Sequence, residues 1–154
     1  MSEPWPDLAG RIADRRHILA VRVYHEDTDF SGAVYHASYL RFCERGRSDF
    51  LRLMGVFHGE LRAPGSGDPL AFAVRHMEID FLKPARINDA LEVETRAVAL
   101  SGAALNLDQR IARGSETVFT AQVKVVVIDG RGRPRRLPSA LKTRLAPYLD
   151  PLPD

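Results

Sequence analysis

The chain has 154 residues, 45% of them hydrophobic and 27% charged, the composition of one soluble globular domain. Lysine and arginine number 22 against 20 acidic residues, a net charge of +2, too near neutrality for a nucleic-acid or membrane-surface binder defined by bulk charge. The single cysteine, Cys43, excludes an intrachain disulfide and a cysteine-based zinc site. No stretch approaches the roughly 20 apolar residues of a membrane span. The opening Met1-Ser2-Glu3-Pro4-Trp5-Pro6-Asp7 lacks the basic-then-apolar order of a signal peptide. No integral membrane segment is expected, and the cytoplasm is the expected location.

Residues 1–16 are polar and carry two prolines, which reads as an extended N-terminal arm. From His17 to His25 the run Ile18-Leu19-Ala20-Val21-Arg22-Val23-Tyr24 reads as a strand. After the polar loop Glu26 to Gly32, residues Tyr39, Phe42, Cys43, Gly46, Phe50, Leu53 and Met54 recur at the spacing of one helical face. Gly55 suits the left-handed residue that ends such a helix. Pro64-Gly65-Ser66-Gly67-Asp68-Pro69 marks residues 60–69 as a flexible loop and a candidate lid.

Four strand-like segments follow, about 71–82, 90–100, 103–113 and 116–128, separated by short breaks. Val123-Lys124-Val125-Val126-Val127-Ile128 reads as a strand in the middle of a sheet. Connections this short favour antiparallel pairing, because a parallel crossover needs about a dozen residues. One apolar-faced helix among five strands can bury its stripe only against the concave side of the sheet. The expected class is therefore α+β, a five-stranded antiparallel sheet wrapped around one long helix, with a single domain over 17–140 and a C-terminal tail over 141–154. The two sheet edges favour a dimer.

The chemical signal lies between the first strand and the helix, in Tyr24-His25-Glu26-Asp27-Thr28-Asp29-Phe30-Ser31-Gly32-Ala33-Val34-Tyr35-His36-Ala37-Ser38-Tyr39. A helix start offers unpaired N–H groups and about half a positive charge, so it can hold an oxyanion. A nearby carboxylate could attack a carbonyl or activate water. The plainer reading of the same residues is capping and turn chemistry, since Asp, Ser and Thr side chains bond free N–H groups.

Residues Arg22 to Tyr39 resemble the signature of hotdog-fold acyl-CoA thioesterases of the 4-hydroxybenzoyl-CoA thioesterase type, most of all the Tol-Pal-associated bacterial branch. Phe81-Leu82-Lys83-Pro84-Ala85-Arg86-Ile87-Asn88-Asp89-Ala90-Leu91-Glu92-Val93 and Arg135-Arg136-Leu137-Pro138 are similar to that branch as well, so the likeness spans about residues 18–140. It implies a hotdog fold and hydrolysis of an acyl-CoA to free acid and coenzyme A. It assigns Asp29 as the carboxylate, nucleophile or general base. It puts the oxyanion donor at the backbone N–H near His36, whose side chain would orient water or the carbonyl. It matches Gly32 to a tight turn of the loop. His25 stands where the branch commonly has a tyrosine. No cofactor is implied, since coenzyme A is part of the substrate, and no metal. A homodimer or homotetramer is implied.

Other residues read more plainly. Cys43 on the apolar helix face reads as a small buried hydrophobe. His76 reads as a structural histidine, because no second ligand stands at metal spacing; His17 and His58 carry no pattern. Arg131, Arg133, Arg135 and Arg136 form a basic cluster that could grip coenzyme A phosphates, although a solvated surface turn is the plainer reading; it lacks the interleaved aromatics of a single-strand nucleic-acid platform. Phe57, Phe72 and loop 60–69 are candidates for the acyl pocket. The competing readings are a hotdog dehydratase, whose histidine-plus-carboxylate motifs are not seen, and a non-catalytic module that binds acyl chains or acyl carrier protein in phospholipid metabolism. The anionic Asp-Thr-Asp motif argues against a pure binder.

Overall fold

The computed structural model describes residues 4–56, 59 and 61–149; Phe57 and His58 lie outside them. The strands are β1 (Arg11–Ala13), β2 (Arg16–Arg22), β3 (Ala71–Phe81), β4 (Ala90–Leu100), β5 (Ala104–Arg113), β6 (Glu116–Ile128) and β7 (Pro134–Arg135), and the α-helices are α1 (His36–Leu53) and α2 (Ser139–Leu145). All pairings are antiparallel, in the order β1-β2-β4-β5-β6-β3, with β7 on β6.

The expected sheet wrapped around a helix is present, and the helix is α1. Along β4, Leu91, Val93, Thr95 and Ala97 are buried in alternation with more exposed neighbours, the period-2 signature of a sheet covered on one face. Phe42, Cys43, Gly46 and Phe50 of α1 are buried against that face. Gly46 sets the closeness of approach: a Cβ there would meet Val93 Cγ1 at 2.9 Å and Thr95 Oγ1 at 3.1 Å. Burial pushes the Cys43 thiol up to about 12, which fits a packing role and not a nucleophile.

Three expectations need correction. Among the described residues the sheet has seven strands, not five. The additional β1 and β7 are three and two residues long, too short to print an alternation in the sequence. β1 lies within the expected arm and pairs with β2 through a turn in which Asp14 and Arg15 both take positive φ (53° and 64°), a backbone whose twist suits tight hairpins. Order also continues past residue 140: α2 buries Leu141 and Leu145 in the core, so its apolar spacing prevails over the surrounding prolines. Finally, the described part of loop 60–69 is a closed hairpin. Arg62 bridges Pro69, Ala63 N–H donates to Asp68 O at 2.9 Å, and Ala63 and Leu70 are buried.

The two ends of the sheet differ. β6 is interior, as its β-branched run predicts, whereas β3 is an edge strand eleven residues long, paired among the described residues only with β6. A bulge interrupts its register between Val74 and His76.

Candidate active site

Residues 27–35 form a short hairpin that delivers the chain into α1. Tyr35 N–H donates to Asp27 O at 2.9 Å, Thr28 bridges Val34, and Asp29 N–H donates to Ala33 O at 2.9 Å. Asp29 therefore stands two residues beyond the hairpin base, at its tip. Gly32 N–H closes the turn onto Asp29 O at 3.2 Å, and the φ of Gly32 is +84°. That left-handed value favours glycine, as the tight turn requires. At the base, buried Asp27 accepts the Tyr24 N–H at 2.9 Å through Oδ2 and caps the 3₁₀ turn His25–Asp27. The capping reading is thus correct for Asp27.

Asp29 is only half committed to such chemistry. Its Oδ1 accepts the Ser31 N–H at 2.8 Å and the Ser31 hydroxyl at 2.6 Å, while Oδ2 has no partner among the described residues. The Ser31 hydroxyl, helped by the Ser31 N–H and by the charge of Arg86, holds the carboxyl below its ordinary value of 3.8. Asp29 is an exposed anion at neutral pH with one oxygen available.

The start of α1 is the second element. No side chain among the described residues caps it. The Ser38 N–H is taken by Tyr35 O, while the N–H groups of His36 and Ala37 find no acceptor among the described residues. They are the unpaired donors of a helix start. The exposed His36 ring packs on Tyr35 at 4.3 Å and edge-on to Phe81 at 6.4 Å. No hydrogen bond joins the side chains of His36 and Asp29 among the described residues; the hairpin backbone is what links them.

The hairpin is braced from behind by residues 82–89, the second run singled out in the sequence. Val34 N–H donates to Ala85 O at 2.8 Å, Ile87 N–H to Gly32 O at 3.2 Å, and Ala33 bridges Arg86. Asp89 caps this segment through the Arg86 N–H and is gripped by Arg113 at 2.8 Å; Arg113 also pairs with Glu116. Tyr39 anchors the assembly. Its buried hydroxyl accepts the Ala85 N–H at 3.0 Å, and its ring stacks on Phe119 at 5.1 Å. Sequence reading placed Tyr39 on the apolar helix face and at the end of the family-like run Arg22 to Tyr39, and Arg86 within the similar run 81–93, but assigned neither a role.

The arginine cluster lies elsewhere. Phe81 pairs with Phe119 beside this site, whereas Arg131 to Arg136 follow the far end of β6 at Ile128. Phe119 and Ile128 are nine residue steps apart along the strand, roughly 30 Å. Within one chain the four arginines and Asp29 do not share a site. Two of the four are already engaged, Arg133 to Asp129 at 3.0 Å and Arg135 to Asp129 at 3.6 Å; Arg131 and Arg136 are exposed and have no side-chain partner among the described residues. His25 is exposed in the 3₁₀ turn, and His76 pairs with Glu78 at 3.5 Å on the surface.

Comparison with known proteins places this arrangement in a family. The family model described as the thioesterase-like superfamily matches residues 23–145. The acyl-CoA thioester hydrolase YbgC of Escherichia coli O157:H7 is 41% identical over 123 residues, 79% of this chain and 89% of the relative. A probable thioesterase from Bartonella henselae superposes with a TM-score of 0.76 at 48% identity, covering 80% of this chain and 99% of that one. A Thermus thermophilus thioesterase crystallised with coenzyme A and zinc gives a TM-score of 0.68 at 27% identity, over 83% of this chain and 95% of that one. From the Asp29 hairpin to α2, this chain belongs to the thioesterase-like superfamily and has its hotdog fold.

Proposed function

We propose that this protein hydrolyses acyl-CoA thioesters to free acid and coenzyme A. The observation that carries the proposal is the pairing, on one braced hairpin, of a carboxylate with a free oxygen and an uncapped helix start. The thioester carbonyl oxygen accepts the backbone N–H of His36 at the head of α1, where developing negative charge is stabilised. Asp29 Oδ2 either takes a proton from a water that attacks the carbonyl carbon or attacks that carbon itself. The C–S bond then breaks, the pair of electrons leaves with sulfur, and the thiolate takes up a proton. If Asp29 attacks, water cleaves the resulting anhydride in a second step. Gly32 and the His36 side chain support the loop and the bound carbonyl. The chemistry needs no metal or further cofactor, because a thiolate leaves readily.

The active unit in this reading is a homodimer, or a tetramer built from it, made by antiparallel pairing of the β3 edges. An edge of eleven residues with no further strand on it among the described residues supports it. A two-fold pairing sets Ala71 opposite Phe81, which brings the 131–136 turn of the partner subunit toward Asp29 and lets Arg131 and Arg136 of the partner subunit face the coenzyme A phosphates. The near-neutral charge and the absence of a long apolar helix among the described residues are compatible with a cytoplasmic enzyme of the Tol-Pal-associated branch. An acyl carrier protein presents the same thioester and is the alternative donor.

Thiol release from a panel of acyl-CoAs tests the reading. Wild type is expected to turn over at least one of them, and Asp29→Asn to lose about 10²–10⁴-fold in kcat. An inert wild type, or an Asn variant at full rate, sinks it; a variant changed only in affinity favours the binding module. Single turnover in water enriched in heavy oxygen separates the two roles of Asp29: general-base attack puts the label in the free acid, whereas an anhydride opened by water at its Asp29 carbonyl puts it in the Asp29 carboxylate.

A further inference from the structure

Gly32, Ala33 and Val34 of the Asp29 hairpin all bond to residues 85–87, and that stretch is held by a side chain that no step above uses. Arg113, at the end of β5, donates through one nitrogen, Nη1, to Pro84 O at 3.1 Å and to Asp89 Oδ2 at 2.8 Å. Both ends of the 84–89 stretch are thereby tied to a single atom. The other nitrogen, Nη2, pairs with Glu116, which also holds Lys83 at 3.1 Å. With both branches engaged, the planar fork is fixed in orientation.

The bonds continue from Arg113 to the site. The oxygen that Arg113 grips, Asp89 Oδ2, also accepts the Arg86 N–H at 2.9 Å. That N–H belongs to the same peptide group as Ala85 O, which accepts the Val34 N–H at 2.8 Å. A relay therefore runs from Arg113 through Asp89 and one rigid peptide plane to Val34, each bond polarising the next. Val34 stands between the two reacting elements: it bridges Thr28, the neighbour of Asp29, and lies two residues before His36. A shift of the 85–86 peptide moves the carboxylate and the oxyanion donor relative to each other, and a displacement of about 1 Å in such a pair can cost about 10²-fold in rate. Stability depends on the clamp far less. Tyr39 holds Ala85, and Val23 exchanges bonds with Asn88 and Asp89, both at 2.9 Å; the side chains of Arg113 and Asp89 are 34% and 25% exposed, and pairs open to solvent add little to folding.

We infer that Arg113 is a positioning residue of the hydrolase: through Asp89 and the Ala85–Arg86 peptide it sets the spacing between the Asp29 carboxylate and the His36 N–H. The inference rests on the hydrolase reading and adds to it a residue that acts without touching the reacting atoms.

Arg113→Ala tests it. At saturating acyl-CoA, kcat is expected to fall about tenfold to a hundredfold, while KM stays within about twofold and the melting temperature within about 3 °C of wild type. Guanidinium at millimolar concentration, far below the molar range that unfolds proteins, is expected to restore part of kcat in Arg113→Ala and none in Asp29→Asn. Arg110→Ala removes an arginine of the same strand that pairs with Glu94 and is expected to keep the wild-type kcat. Full kcat in Arg113→Ala, or an equal loss in Arg110→Ala, overturns the inference and leaves the hydrolase reading intact. So does a loss confined to KM, the mark of a direct substrate contact, or a loss of kcat that comes with a large fall in melting temperature and is not relieved by guanidinium, the mark of a purely structural residue. A wild type inert on every thioester overturns both readings. If Arg113→Ala does not fold, Arg113→Lys carries the test: its nitrogen ends one atom short of Nη1 and cannot fork, so kcat is expected to fall roughly threefold or more at unchanged KM, and a wild-type kcat overturns the inference.

Discussion

Two aspartate turns, built alike, end up with opposite assignments. At Asp129, Oδ1 accepts the N–H groups of Arg131 and Arg133, and Oδ2 accepts Arg133 Nε at 3.0 Å with Arg135 close by. Both oxygens are committed, the side chain is 6% exposed, and the bond from the Arg133 backbone leads the set that lowers its pKa to about 2. At Asp29 one oxygen takes both bonds from Ser31 and the other takes none among the described residues. The same Asx-turn chemistry closes a loop in the first case. In the second it holds a carboxylate whose other oxygen has no partner among the described residues.

The largest expected effect sets these turns against each other. Asp29→Asn lowers kcat by about 10²–10⁴-fold with little change in melting temperature. Asp129→Asn does the reverse, lowering the melting temperature while kcat stays within a few-fold of wild type. Activity and thermal melts on both variants check the contrast, and a stable, inactive Asp129→Asn would abolish it. Next in size is Tyr39→Phe, which leaves the Ala85 N–H buried without its acceptor and costs about 1–3 kcal/mol in denaturant unfolding. Activity should fall with it, because that anchor braces the Asp29 hairpin. A smaller effect sharpens the electrostatics: Ser31→Ala removes the main cause of the low Asp29 pKa, so the acidic limb of the kcat/KM profile moves up toward 3.8.

The smallest effect concerns stability. His17 is fully buried, donates through Nε2 to Ala9 O at 2.7 Å and has no partner at Nδ1 among the described residues. Burial lowers its pKa from 6.5, opposed by the Ala9 bond and the charge of Asp49. The folded state therefore prefers the neutral ring, while the unfolded chain protonates near 6.5. This contribution is complete above that pH and is lost as the pH falls through it. A series of thermal melts should decline below 6.5, and less steeply in His17→Gln.

Much of this architecture was legible in the residues themselves. Helical spacing over Tyr39 to Met54 and the β-branched run ending at Ile128 depend on burial of one face, and burial period is written directly into sequence. The Asp29 motif could be read because its chemistry is local: a turn glycine, a carboxylate and a helix start lie within a few residues. Folding decided what depends on distant partners. It gave β1 and β7 their pairing, tied Tyr39 to Ala85 across 46 positions, and buried His17 under residues that show no pattern. It carried the arginine cluster to the far end of β6, since a strand moves its ends apart by about 3.3 Å per residue. Sequence alone determined that Asp29 stands in a tight turn and which helix follows it; only the tertiary structure decided that one oxygen of Asp29 is without a partner among the described residues while both of Asp129 are bonded. That difference is set by which donors the folded backbone brings within hydrogen-bonding reach of each carboxylate.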